Sequence, residues 1–125
     1  MIAIVDYGVG NLFSVEKAFL KFSPDVVLTS DAKVIEKADK IVLPGVGAFG
    51  DCMKNFEQSG LKNSVLEAIK QGKPVMGICV GEQIMFEGSE ESPEVKGLGI
   101  FKGMVKKNKC SWAKNSAYGL EFFSY

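Results

Sequence analysis

Four short, almost wholly apolar runs constrain this chain more than any other feature: residues 2–5, 26–28, 40–43 and 75–78. A strand with one wet face alternates apolar and polar side chains, whereas a strand that is apolar throughout has to be covered on both faces. A parallel sheet meets that requirement, because its crossover connections lay helices on its two sides. The segments between the runs supply such helices. Leu12, Val15, Ala18, Phe19 and Phe22 fall on one helical face stopped by Pro24. Phe49, Met53 and Phe56, then Leu61, Val65, Ala68 and Ile69, mark two more helices, the second ended by Gly72 and Pro74. The stretch between the second and third runs reads as a shorter polar or weakly helical connection. The alternation predicts an α/β fold with a doubly wound, mostly parallel sheet, whose sites lie beyond the carboxyl ends of the strands.

Glycine-rich loops stand at three such ends: Asp6-Tyr7-Gly8-Val9-Gly10-Asn11, Pro44-Gly45-Val46-Gly47 and Gly77-Ile78-Cys79-Val80-Gly81. From Pro93 the texture changes. Gly97-Leu98-Gly99-Ile100-Phe101 and Met104-Val105 predict short β segments broken by glycines, followed by the basic residues Lys106, Lys107 and Lys109. Residues 108–125 offer one strand, at 119–123, and no helix. At 125 residues the chain reads as one domain, near the lower end for a doubly wound sheet.

Lysine plus arginine equal aspartate plus glutamate at 15 each, so no overall field draws the chain to nucleic acid or to an anionic membrane. Cys52, Cys79 and Cys110 are odd in number, lack C-x-x-C spacing and have no histidine to complete a metal set. Neither a disulfide, a metal nor a cofactor is expected. The N-terminus lacks the basic flank and long apolar core of a signal peptide, and no run reaches membrane-spanning length, so a reducing cytoplasm is the expected setting.

Gly77-Ile78-Cys79-Val80-Gly81 has the form G-x-C-x-G, the thiol counterpart of a nucleophile elbow. The flanking glycines remove side chains where backbones crowd, and the turn lifts the sulfur from the sheet edge. A helix beginning after the cysteine offers its positive end and free N–H groups to a thiolate. The amide of Val80 is then placed to donate to an oxyanion. Pro44-Gly45-Val46-Gly47 closes a different strand at the same sheet edge, so its N–H groups could face Cys79 and would then complete an oxyanion hole. The alternatives are a buried cysteine acting as a small hydrophobe and a plain Pro-Gly turn.

Taken together these motifs resemble the class I glutamine amidotransferases, and among them the glutaminase subunits of imidazole glycerol phosphate synthases. The resemblance rests on the loop at Asp6 to Asn11, on Pro44-Gly45-Val46-Gly47-Ala48-Phe49-Gly50 and on Gly77-Ile78-Cys79-Val80-Gly81-Glu82-Gln83. It extends through Phe86-Glu87-Gly88-Ser89-Glu90-Glu91 and Val95-Lys96-Gly97-Leu98-Gly99-Ile100, in order and spacing, over about the first 105 residues. It implies a flavodoxin-like domain over residues 1–125 that is incomplete at its C-terminus. It implies Cys79 as the nucleophile toward glutamine, with Val80, Gly45 and Val46 as oxyanion donors. Gly47 and Gln83 would line the glutamine pocket, and Gly8, Val9, Gly10 and Asn11 would face a cyclase subunit built as a (β/α)₈ barrel. Ammonia would pass to that partner in histidine biosynthesis.

Two departures bear on activity. Glu82 stands where the family usually has methionine or another uncharged residue, which sets a negative charge near a sulfur that must become negative. The family's general base is a histidine paired with a glutamate, and this chain has no histidine. The chain alone is therefore expected to lack glutaminase turnover. It is also expected to leave a sheet edge or apolar face uncovered and to associate with itself or a partner. Competing readings are a non-catalytic docking module or truncated pseudoenzyme, another cysteine hydrolase, and a phosphate cradle in the first loop.

Overall fold

The computed structural model describes residues 1–106. Each of the four apolar runs is a strand. They are β1 (Ile2–Val5), β2 (Val26–Thr29), β3 (Lys40–Leu43) and β4 (Val75–Gly77), all parallel, in the order β2-β1-β3-β4. That order is the flavodoxin-like one. The connections carry α1 (Leu12–Leu20), α2 (Ala32–Lys37), and α3 (Phe49–Ser59) followed by α4 (Lys62–Lys70). The connection expected to be polar or weakly helical is thus a defined helix. Its sequence signal is Asp31, whose carboxylate accepts from the Lys33 amide at 2.9 Å and caps the first turn.

Strand register sorts the side chains into two faces. Val27, Ala3, Ile41 and Val75 lie in one row, and Leu28, Ile4, Val42 and Met76 in the other. The first row packs with Ile35 of α2, Phe49, Met53 and Phe56 of α3, and Val65 and Ala68 of α4 in one buried cluster. The spacing of apolar residues in α3 and α4 thus marks a true core face. On the second side α1 lies against β2, but none of its residues is buried. Phe22 falls beyond the helix and is 89% exposed, so the predicted apolar face of residues 12–22 is only partly covered.

After β4 comes the single-turn helix α5 (Val80–Gln83), and then a small second sheet in the order β6-β5-β7. Its strands are β5 (Gly88–Ser89), β6 (Ser92–Lys96) and β7 (Met104–Val105). β7 is where it was expected, but the β segment predicted at 97–101 is not formed. That stretch wraps the end of α5, with the amides of Leu98, Gly99, Ile100 and Phe101 donating to the carbonyls of Ile84, Phe86, Met85 and Met85. A Cβ on Gly97 would stand 2.0 Å from the Phe86 oxygen, an approach only glycine permits. α5 ends at Gln83, and the wrap takes the carbonyls of Ile84, Met85 and Phe86 that follow it. The predicted strand at 119–123 and Cys110 lie outside the described residues. Among the described residues no helix is long and apolar enough to cross a membrane.

Candidate active site

Cys79 sits on the turn between β4 and α5 with φ 56° and ψ −124°, the one non-glycine positive φ among the described residues. Such a conformation costs on the order of 1–3 kcal/mol and persists only where the surroundings dictate it. Here they do. The Ile78 amide donates to the Leu43 carbonyl at 3.0 Å, the Gly81 amide to Ile78 at 3.0 Å and the Gln83 amide to Cys79 at 3.2 Å. A Cβ on Gly77 would lie 2.5 Å from the Glu82 Cα, and one on Gly81 would lie 2.0 Å from the Leu43 oxygen. The two glycines of G-x-C-x-G are therefore steric necessities that let α5 start directly against β3. The Cys79 thiol itself is exposed.

The Pro44–Gly47 loop meets this elbow, as the motif order leads one to expect. A Cβ on Gly45 would be 2.5 Å from the Gly81 nitrogen. The expected oxyanion donor is engaged, however: the Val80 amide donates to the Gly45 carbonyl at 3.2 Å. The first loop joins the same edge, since a Cβ on Gly10 would touch the Val46 side chain at 3.7 Å. Within that loop Gly8, Gly10 and Asn11 are exposed, whereas Val9 belongs to the buried cluster. Gln83 is buried and Glu82 half-buried. Cys79, Val80, Gly45 and Val46 are thus brought together at one sheet edge.

Three further residues at this edge have no local signature. The Tyr7 hydroxyl donates to the Pro44 carbonyl, and the Cys52 thiol donates to the Val46 carbonyl at 3.2 Å. Both side chains are buried, and burial raises the ionisation of each, that of Tyr7 the further. Glu91 reaches across from the second sheet, where its carboxylate accepts from the Phe49 amide at 3.4 Å. That contact serves the start of α3, whose N-cap Ala48 offers no side-chain acceptor. A groove of about 580 Å³ opens between α3 and β6, lined by Asp51, Lys54, Glu57, Ser92, Glu94 and Lys96 among others, and Cys79 is not part of its wall.

The model of the CobB/CobQ-like glutamine amidotransferase domain matches residues 2–117. The imidazole glycerol phosphate synthase subunit HisH of Geobacter metallireducens is 51% identical over 104 residues, which make up 83% of this chain and 50% of the relative. The corresponding protein of Pyrococcus furiosus is 54% identical over 108 residues, 86% of this chain and 52% of the relative. Subunit HisH 1 of Methanococcus maripaludis is 50% identical over 114 residues, with shares of 89% and 56%. The chain spans about half the length of the curated relatives it matches. A crystal structure of a glutamine amidotransferase superposes with a TM-score of 0.72 over 88% of this chain and 58% of its own, at 17% identity, and so shares the fold. With the family model running through β1 to β7, and with the cysteine elbow in place, the chain belongs to the class I glutamine amidotransferases.

Proposed function

We propose that this chain is the nucleophile-bearing part of a glutaminase that supplies ammonia to the cyclase subunit of an imidazole glycerol phosphate synthase in histidine biosynthesis. The observation that carries the reading is the Cys79 elbow: an exposed thiol on a positive-φ turn, pressed against a glycine loop from the neighbouring strand. Relatives about half identical to the chain carry the name of an imidazole glycerol phosphate synthase subunit, which supports the assignment to that enzyme.

In this reading the Cys79 thiolate attacks the carboxamide carbon of glutamine, forming a C–S bond as the carbonyl electrons move onto oxygen. The tetrahedral species then collapses, the C–N bond breaks and ammonia leaves with a proton. Water hydrolyses the glutamyl thioester to glutamate and regenerates the thiol. The oxyanion calls for donors already aimed at it. A planar peptide carries its N–H and C=O on opposite sides, so a half-turn of the Gly45–Val46 peptide would free the Val80 amide and bring the Val46 amide to the same spot. The observed arrangement is then a resting form. Gly47 and Gln83 line the glutamine pocket. Gly8, Gly10 and Asn11 form the edge turned toward a (β/α)₈ cyclase, with Val9 anchoring that loop in the core. Residues 1–125 form one domain, and the open side of its sheet is where a second copy would associate.

With no histidine in these 125 residues, the proton shuttle has to come from elsewhere. Loss of one member of a cooperating catalytic set costs on the order of 10⁴- to 10⁶-fold, so the chain alone should show no Cys79-dependent ammonia release. The engaged Val80 amide favours a second reading, a docking module without turnover. Treatment with the glutamine analogue 6-diazo-5-oxo-L-norleucine, followed by peptide mass spectrometry, tests the first reading. Modification of Cys79 that excess glutamine suppresses supports it. An unmodified Cys79 in a chain that still binds the cyclase favours the docking module. Clear Cys79-dependent ammonia release from this chain, measured against Cys79→Ala, would refute the expected inactivity.

A further inference from the structure

Three consecutive carbonyls of the loop are held by three different groups. The Tyr7 hydroxyl holds Pro44, the Val80 amide holds Gly45 and the Cys52 thiol holds Val46. The middle holder is the backbone amide the chemistry would need. The outer two are buried side chains that the chemistry does not use. We propose that Tyr7 and Cys52 are positioning residues: they form a two-post clamp on the peptides flanking Gly45–Val46, and so confine the movement of the loop to that one peptide.

The Pro44 and Val46 oxygens belong to the peptides on either side of Gly45–Val46. A half-turn about the Gly45 ψ and the Val46 φ therefore leaves both clamped oxygens where they are, and exchanges only the Gly45 carbonyl for the Val46 amide. Both posts are shielded from water, at 4% exposure for Tyr7 and 0% for Cys52, so solvent does not compete for the carbonyls they hold. The Tyr7 ring is itself fixed by an edge-on contact with Phe56, centroids 5.2 Å apart. Of the two pivots, Gly45 has no side chain where a Cβ would lie 2.8 Å from the Tyr7 oxygen, and the Val46 side chain is half exposed.

The meaning of the clamp for oxyanion binding rests on the glutaminase reading, whereas the clamp itself does not, and the experiment separates the two. Amide hydrogen exchange of the intact chain is followed at Val80, with Ile41, whose amide donates to Pro74 inside the sheet, as the reference. Losing one buried hydrogen bond in Tyr7→Phe or Cys52→Ala should speed Val80 exchange relative to Ile41 by about 3- to 10-fold, and Cys52→Ser, which keeps a donor, should return it to within about twofold of wild type. A purely structural role would accelerate both amides together. That outcome, or an unchanged Val80 in both variants, would overturn the clamp. Should Tyr7→Phe not fold, the Cys52→Ala and Cys52→Ser pair decides alone. Labelling of wild-type Cys79 by the glutamine analogue is scored separately, and its absence counts against the glutaminase reading while the exchange result stands.

Discussion

The two faces of the parallel sheet are dressed unequally. Ala3, Ile41 and Val75 look onto α2, α3 and α4 and share their buried cluster. Ile4, Val42 and Met76, one residue further along the same strands, look the other way. There Ile4 and Val42 are buried, but Met76 is 56% exposed on the edge strand, and Phe13 and Leu20 of α1 are 71% and 45% exposed. Both faces have the same apolar sequence character, and that character belongs to strands covered twice. The difference teaches that a two-faced strand pattern reports a demand for cover, whereas only the helices present decide whether the demand is met. The candidate site depends on the finished side: Tyr7, Cys52 and the start of α3 all belong to the buried cluster beneath the Pro44–Gly47 loop.

The comparison breaks most readily by truncation on each side. Phe56→Ala, deep in the packed face, should destabilise the chain by about 3–5 kcal/mol, while Phe22→Ser on the open side should stay within about 0.5 kcal/mol. Urea unfolding midpoints read both, and equal losses would show that the faces are equivalent. Next in size is the seam between elbow and sheet. Gly81→Ala forces a Cβ to within 2.0 Å of the Leu43 oxygen and should cost about 1–3 kcal/mol as overpacking, with a changed rate of Cys79 alkylation. An unaltered midpoint and alkylation rate would mean that α5 does not seat against β3.

The open face can be sharpened more gently. Met76→Lys should change stability by no more than about 0.5 kcal/mol and reduce self-association in sedimentation, because a lysine on an edge strand blocks edge pairing. A large loss of stability would show the Met76 side chain to be covered. The smallest effect is absent at neutral pH and belongs to the packed face. Burial raises the ionisation of Cys52 above its ordinary value of 9.0, and that of Tyr7 further still, so the fold favours both neutral forms. The folded chain then holds protons that the unfolded chain gives up. Their contribution is complete below the ordinary thiol range and is lost as pH rises through the raised values. Stability should therefore decline above about pH 9, where an exposed thiol ionises, and the decline should flatten in Cys52→Ala. A pH-independent midpoint up to pH 11 would contradict this.

Much of the molecule was determined by the sequence alone, because the deciding forces act within a few residues. A short apolar run of three or four residues states that a strand is buried on both faces, so all four strands and their parallel pairing were legible, as were α1, α3 and α4. The paired glycines about Cys79 stated the elbow, since a backbone crossing with no room for a Cβ leaves a local trace. Even α2 had its trace in Asp31, although a helix of six residues is too short for its apolar spacing to stand out. Tertiary structure decided the rest. Tyr7 reaches Pro44 across 37 residues and Glu91 reaches Phe49 across 42, so neither contact has a periodicity to betray it. The wrap of residues 97–101 around α5 replaced a β segment, because carbonyls at a helix end outbid a weak strand for the same amides. Whether the Val80 amide is free or engaged depends on which way one peptide between two held neighbours is turned. The carbonyls on either side of that peptide are held by Tyr7 from the first loop and by Cys52 from the next helix, contacts that the sequence of the loop itself does not announce.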